Sequence, residues 1–255
     1  MNTEPKSTIF EKIFSINSST TFFKQYGLER SGTNYIKALL DINFQNTRVL
    51  SNIYGFKHGD FQPFDAGYNP ALDRNVVTDL KTNELEFVKE SFRTNQIKYL
   101  VSTKLPHSWA TSYSKCPWIR GTNSLSVENV TSYIDKWNKQ NRNWIEYILE
   151  KESLSSVLIR YEDLVVDPQK VINMISMKYA IDIKEAFNIL EFRRMRTGPD
   201  VHGFKNKTNH RFDKSYYTEE RYMNELPEEI KELIDKLVDK DVLAYIASWK
   251  HGEPG

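Results

Sequence analysis

Arg30-Ser31-Gly32-Thr33-Asn34 stands between an apolar, aromatic stretch (Phe22, Phe23, Tyr26) and a helical pattern with apolar positions at Tyr35, Ile36, Leu39, Leu40 and Ile42. A loop of small residues that opens a helix turns successive backbone N–H groups toward one point, where the helix dipole adds roughly +0.5 charge. The chemistry on offer is anion binding, and Arg30 adds a full cation to it. Lys104 follows the apolar run Ile97–Ser102, with Ser112 eight residues on: a second cation and a hydroxyl. His58, in Gly55-Phe56-Lys57-His58-Gly59-Asp60, supplies an imidazole whose ordinary pKa near 6.5 suits proton acceptance. Asp60 is the other candidate base, and Lys57 is a cation that could neutralise a transferring group.

The Gly27-to-Gly32 spacing matches the start of a nucleoside-triphosphate loop, G-x-x-x-x-G-K-[ST]. Thr33 stands where the phosphate-gripping Lys belongs, and Asn34 where the magnesium-holding Ser or Thr belongs. The loop therefore reads as a phosphate cradle without its metal ligand. No Cys/His cluster has metal-ligand spacing, so no metal is expected.

The elements that must position these groups alternate between strand and helix. Strand-like runs end near Tyr26, Ser102 and Tyr161, and Arg48-Val49-Leu50 lies between the first two. Helical periods cover Leu80–Phe92, Val127–Glu150, a segment opening at Pro168, Lys184–Phe192, Pro227–Val238 and Asp241–Trp249. Residues 61–76, 114–127 and 197–215 show no period. This order predicts an α/β fold, a central parallel sheet flanked by helices, with ligands at the carboxyl ends of the strands. Residues 1–20 read as a loose segment and 21–255 as one domain.

Composition narrows the function. A formal net charge of +1 excludes the strong basic excess of general nucleic-acid binders. Cys116 is the only cysteine, so no internal disulfide can form. No apolar run approaches the roughly 18 residues of a transmembrane helix, and no basic-then-apolar leader opens the chain. Ile9, Phe10, Ile13 and Phe14 make a short amphipathic pattern that reads as packing on the domain. The expected location is cytoplasmic.

Three segments carry a resemblance. Arg30-Ser31-Gly32-Thr33 resembles the 5′-phosphosulfate loop, [KR]-[ST]-G-[ST], of sulfotransferases that use 3′-phosphoadenosine 5′-phosphosulfate (PAPS). Lys104 and Ser112 resemble the family's 3′-phosphate motif, R-[DN]-P-x-x-x-x-x-S, with Lys replacing Arg and its bidentate fork. Arg160-Tyr161-Glu162-Asp163-Leu164, followed by Asp167-Pro168, resembles its R-Y-E-D-L segment. Phe192-Arg193-Arg194-Met195 resembles a family segment whose aromatic residue packs on adenine. The resemblance runs from about Gln25 to Trp249.

It implies PAPS as donor, adenosine 3′,5′-bisphosphate (PAP) as product, and no metal. Arg30, Ser31, Gly32, Thr33 and Asn34 would hold the 5′-phosphosulfate, Lys104 and Ser112 the 3′-phosphate, and Tyr161 would lie near the adenine. Glu162 and Asp163 read as architectural. Arg30 would serve transfer electrostatically, and His58, or else Asp60, as base. The late basic residues Lys205, Lys207, Arg211 and Lys214 read as a solvated loop. The acceptor is expected to be a saccharide, with a small alcohol or phenol, a lipid or a peptide as alternatives. A phosphoryl-transferring nucleotide binder and a non-catalytic binder are the competing functions.

Overall fold

Thr-Phe-Phe-Lys-Gln-Tyr-Gly forms β1 (Thr21–Gly27), buried from Phe22 onward, and the helical pattern after it forms α1 (Thr33–Asn43), with Ile36, Leu39 and Leu40 turned inward. The computed structural model describes residues 20–63, 85–116, 125–152, 155–190, 192–196, 207–211, 213–250 and 253–254. β2 (Thr47–Leu50), β3 (Lys98–Thr103) and β4 (Ser156–Arg160) join β1 in a four-stranded sheet of order β2-β1-β3-β4. Each neighbouring pair is parallel. Parallel strands need crossovers, which cover both faces and demand continuous apolar runs. Leu100-Val101 and Val157-Leu158-Ile159 meet that demand, buried without alternation.

The crossovers supply α2 (Leu85–Arg93), α3 (Pro106–Ser114) and α4 (Val127–Trp144), and α5 (Tyr161–Val166) and α6 (Pro168–Tyr179) follow β4. After the antiparallel hairpin of β5 (Phe192–Arg196) and β6 (Lys207–Arg211) come α7 (Ser215–Thr218), a 3-10 turn at Arg221–Glu225, α8 (Glu228–Leu237) and α9 (Lys240–Ser248). A short ribbon, β7 (Trp249–Lys250) and β8 (Glu253–Pro254), follows. The architecture is α/β, a four-stranded parallel sheet flanked by helices. No described helix is long and apolar enough to cross a membrane. Local signals start the elements as their chemistry requires: Ser126 accepts from the Asn129 N–H at the head of α4, and Asp167 accepts from the Lys170 N–H before Pro168 opens α6.

The structure corrects the reading of Lys184–Phe192. Its described residues make no helix, and Phe192 opens β5. Tertiary bonds override the local period: the Asn43 side chain accepts the Asn188 N–H and donates to the Asn188 carbonyl oxygen, while the Lys184 N–H donates to the Asn43 carbonyl. The segment becomes a strap across the end of α1, joined through a bridge between Phe44 and Ile183. The helix from Val127 changes to a π-turn over Ile145–Leu149, and Tyr161 begins a helix rather than ending a strand. The first part of the Leu80–Phe92 helix, the N-terminal pattern at Ile9–Phe14 and Lys205 lie outside the described residues.

Candidate functional site

In the sheet order β2-β1-β3-β4 the chain leaves β1 toward one edge and β3 toward the other, which opens a crevice at the carboxyl ends of those two strands. Arg30 follows β1 and Lys104 follows β3, so the topology sets both at this crevice. Arg30 Nε donates to Ser112 Oγ across 3.3 Å, joining the loop to α3. Arg30 and Gly32 have φ of 68° and 85°, so the loop passes twice through the left-handed region.

Close approach explains the glycines. A Cβ on Gly27 would meet the Ser102 carbonyl oxygen at 2.6 Å, and one on Gly32 would drive into the Tyr161 ring, with Cε2 at 2.7 Å. The Tyr161 ring thus lies against the loop. The Ser31 N–H and hydroxyl both turn back on the loop and donate to the Leu28 carbonyl, at 3.1 and 2.7 Å. The N–H groups of Gly32, Thr33 and Asn34 have no protein acceptor among the described residues and form the donor cluster at the head of α1.

Lys57 and His58 come to the same place from the segment after β2. Lys57 Nζ donates to Asn34 Oδ1 at 2.6 Å, which adds its ammonium to the cluster. The Gly27 N–H donates to the Lys57 carbonyl at 2.9 Å. His58 Nδ1 lies 2.5 Å from the Gly27 carbonyl oxygen, so Nδ1 carries the proton and Nε2 is left to accept one. Burial lowers the imidazole from 6.5 to about 4; the Gly27 hydrogen bond opposes this and Lys57 adds to it. Asp60 instead accepts from Gln140 Nε2 on α4 at 2.8 Å.

Lys104 is buried, its Nζ 4.7 Å from the Tyr161 ring centroid, 5.0 Å from that of Tyr217 and 3.4 Å from the Tyr217 hydroxyl. The buried Glu162 carboxyl is pushed up by desolvation and held back by the Lys104 charge. Its Oε1 accepts the Leu105 N–H at 3.2 Å, at the head of α3. Asp163 takes both Nε and NH2 of Arg160 at 2.8 Å, closing the turn after β4. Both acidic residues therefore make architectural bonds.

Three buried tryptophans, unassigned from sequence, each pin one segment of the site. Trp109 Nε1 donates to the Glu29 carbonyl, Trp137 Nε1 to the Lys104 carbonyl and Trp144 Nε1 to the Gly59 carbonyl, at 2.7, 2.8 and 3.1 Å. Lys24, wholly buried in β1, donates to the Gly55 carbonyl at 2.6 Å and so holds the left-handed pair Tyr54 and Gly55 (φ 53° and 101°) ahead of Lys57 and His58. The sequence signals were Trp residues on the helices beside each motif and a lysine inside an apolar strand. Phe192–Arg196 and Lys207–Arg211 pair as a hairpin; of that basic segment Lys214 donates to the Val166 carbonyl at 3.0 Å. His107 Nε2 lies 3.5 Å from Asp235, between α3 and α8. No group of three or more His, Cys, Asp or Glu gathers with metal-binding geometry among the described residues.

No protein-family model and no curated protein matches the chain. Among solved structures it is similar to the sulfotransferase domain of the Synechococcus PCC 7002 olefin synthase. The TM-score is 0.48 and the identity 14%, with 90% of this chain and 96% of that one covered. A likeness of that degree decides neither fold nor function.

Proposed function

We propose that this protein is a sulfotransferase that moves a sulfuryl group from PAPS to an acceptor hydroxyl. The observation that carries the reading is the convergence of Arg30, Lys57, Lys104 and the Gly32–Asn34 N–H groups on one crevice, with a proton-accepting imidazole beside them. Such a constellation suits a ligand with two anionic ends. Asn34 Oδ1, at the position that would hold magnesium, is already engaged by an ammonium, which disfavours phosphoryl transfer.

The nucleotide supplies a sulfuryl group on a phosphate leaving group. Toward it, the N–H groups of Gly32, Thr33 and Asn34 and the Arg30 guanidinium would bind the 5′ end and take up charge developing on the bridging oxygen. Lys57 would offset charge on the transferring oxygens, while Lys104 and Ser112 would hold the 3′-phosphate. Tyr161, pressed on Gly32, would orient the nucleotide. The acceptor oxygen forms its bond to sulfur as the bond from sulfur to the bridging oxygen breaks. The leaving electron pair goes to PAP, and the hydroxyl proton goes to His58 Nε2. We read the acceptor as a saccharide and the setting as cytoplasmic.

Calorimetric titration with PAP in the absence of magnesium, beside ATP with magnesium, tests the reading. The expected result is micromolar or tighter PAP binding and little ATP binding. The reverse would assign the crevice to phosphoryl transfer.

A further inference from the structure

Behind His58, on the side of the sheet covered by α4, lies a cavity of about 690 Å3 whose aromatic walls are Phe61, Phe92, Tyr99 and Tyr147. The Phe61 and Tyr147 rings are within 9° of parallel, with centroids 6.3 Å apart, and Tyr99 meets Phe61 at 65°. Asp60, two residues past His58, stands at the same cavity. Tyr99 pairs with Lys24 and Ser102 with Gly27, so the cavity wall at Tyr99 lies ~10 Å back along the sheet from His58's anchor.

Its polar lining is unspent. The Tyr99 hydroxyl, the Glu152 carboxylate and the Asn143 amide NH2 have no hydrogen-bond partner among the described residues, although Tyr99 is only 8% exposed. Asn143 Oδ1 is taken by the Phe61 N–H at 2.8 Å, which turns the amide's remaining valence to its two donors. Lys151 rests its ammonium over the outer ring, 4.4 Å from the Tyr147 centroid. Burial, with the Glu152 charge, pushes the Tyr99 phenol up to about 12, so it stays protonated as both donor and acceptor.

A ligand pocket of this size matches apolar walls with a few placed polar heads. A lipid tail would leave those heads unpaired, and a phosphate would meet the carboxylates of Asp60 and Glu152. A sugar ring answers both features, with apolar C–H faces for the rings and hydroxyls for Tyr99, Asn143, Glu152 and Lys151.

We propose that this cavity holds a sugar ring of an oligosaccharide acceptor, at a distance along the chain from the hydroxyl that receives the sulfuryl group. The inference rests on the reading of the crevice as a sulfotransferase site, and it can be tested apart from it.

The test is an NMR titration of the full chain, without nucleotide, with maltohexaose, cellohexaose and chitohexaose. At least one is expected to shift the Tyr99 ring and Asn143 side-chain resonances. Tyr147→Ala should weaken that binding tenfold or more and Tyr147→Phe should preserve it. Tyr147 is 42% exposed, so its truncation spares the core, and an unchanged melting curve would verify this. No shift with any of the sugars, or equal binding by Tyr147→Ala, overturns the proposal. So does displacement of an anilinonaphthalene dye from the cavity with no response to sugar, which would assign an apolar ligand. PAP calorimetry on the same sample separates the two readings. PAP binding without sugar binding removes this inference alone, whereas sugar binding without PAP binding removes the nucleotide reading and leaves the cavity a sugar site.

Discussion

In the proposed reaction His58 Nε2 takes the acceptor's proton. With its imidazole lowered to about 4 by burial, the free protein holds it neutral at pH 7, so kcat/KM should stay flat from pH 8 to 6 and fall only as pH approaches 4. A bound polyanion would favour the imidazolium, so the acid limb of kcat should lie at higher pH than that of kcat/KM; coincident limbs would argue against His58 as base. The same group affects stability. Its folded value lies below the ordinary 6.5, so its contribution is present above 6.5 and is lost as pH falls from there toward 4. His58→Asn should flatten the melting temperature over that window. Lys104→Ala should weaken PAP by tenfold or more and spare adenosine 5′-phosphosulfate, which lacks the 3′-phosphate; equal losses would contradict its role. Arg30→Ala should cut turnover by on the order of a hundredfold with the fold intact, as loss of a transition-state donor does. An unchanged rate would dismiss the loop as the reacting site.

The site's elements differ in how far a linear reading reaches. β1, α1, β3, α4 and α6 declare themselves through apolar runs, helical spacing and the Pro168 start, because their cores are built from near neighbours. Lys184–Phe192 misleads because its fate is decided by Asn43, far away in the chain. The loop, Lys104, Ser112 and His58 could be nominated from local pattern, but the Ser31 turn, the tryptophan anchors and the Lys57–Asn34 bond depend on folded contacts. The aromatic cavity was invisible for the same reason, since Phe61, Tyr99 and Tyr147 come from distant segments. Lys24 gives this scale its prediction. Lys24→Met leaves the Gly55 carbonyl unpaired, at about 1–3 kcal/mol. The turn that presents Lys57 and His58 should loosen, so turnover should fall about tenfold while PAP affinity changes less than twofold. Equal losses in both would make Lys24 a core residue only.

For the whole molecule, the crevice draws on β1, β3 and the segments behind them, so a ligand that binds there must stabilise the sheet as a unit. PAP at a hundred times its Kd adds about 2.7 kcal/mol to the folded state. For a chain of this size that should raise the melting temperature by roughly 5–10 °C, and magnesium should not enlarge the shift. An unmoved melting curve at saturating PAP would place any binding outside the sheet's cooperative unit. The strand order also bears on how the chain is made. β1 can pair with β2 soon after both leave the ribosome, but its other edge waits for β3, and β3 waits for β4. Chains still short of β3 therefore carry an open, apolar strand edge with neither Lys104 nor Ser112 yet in place. The strand order thus makes the crevice assemble late in synthesis, after a stage in which an apolar strand edge stands open.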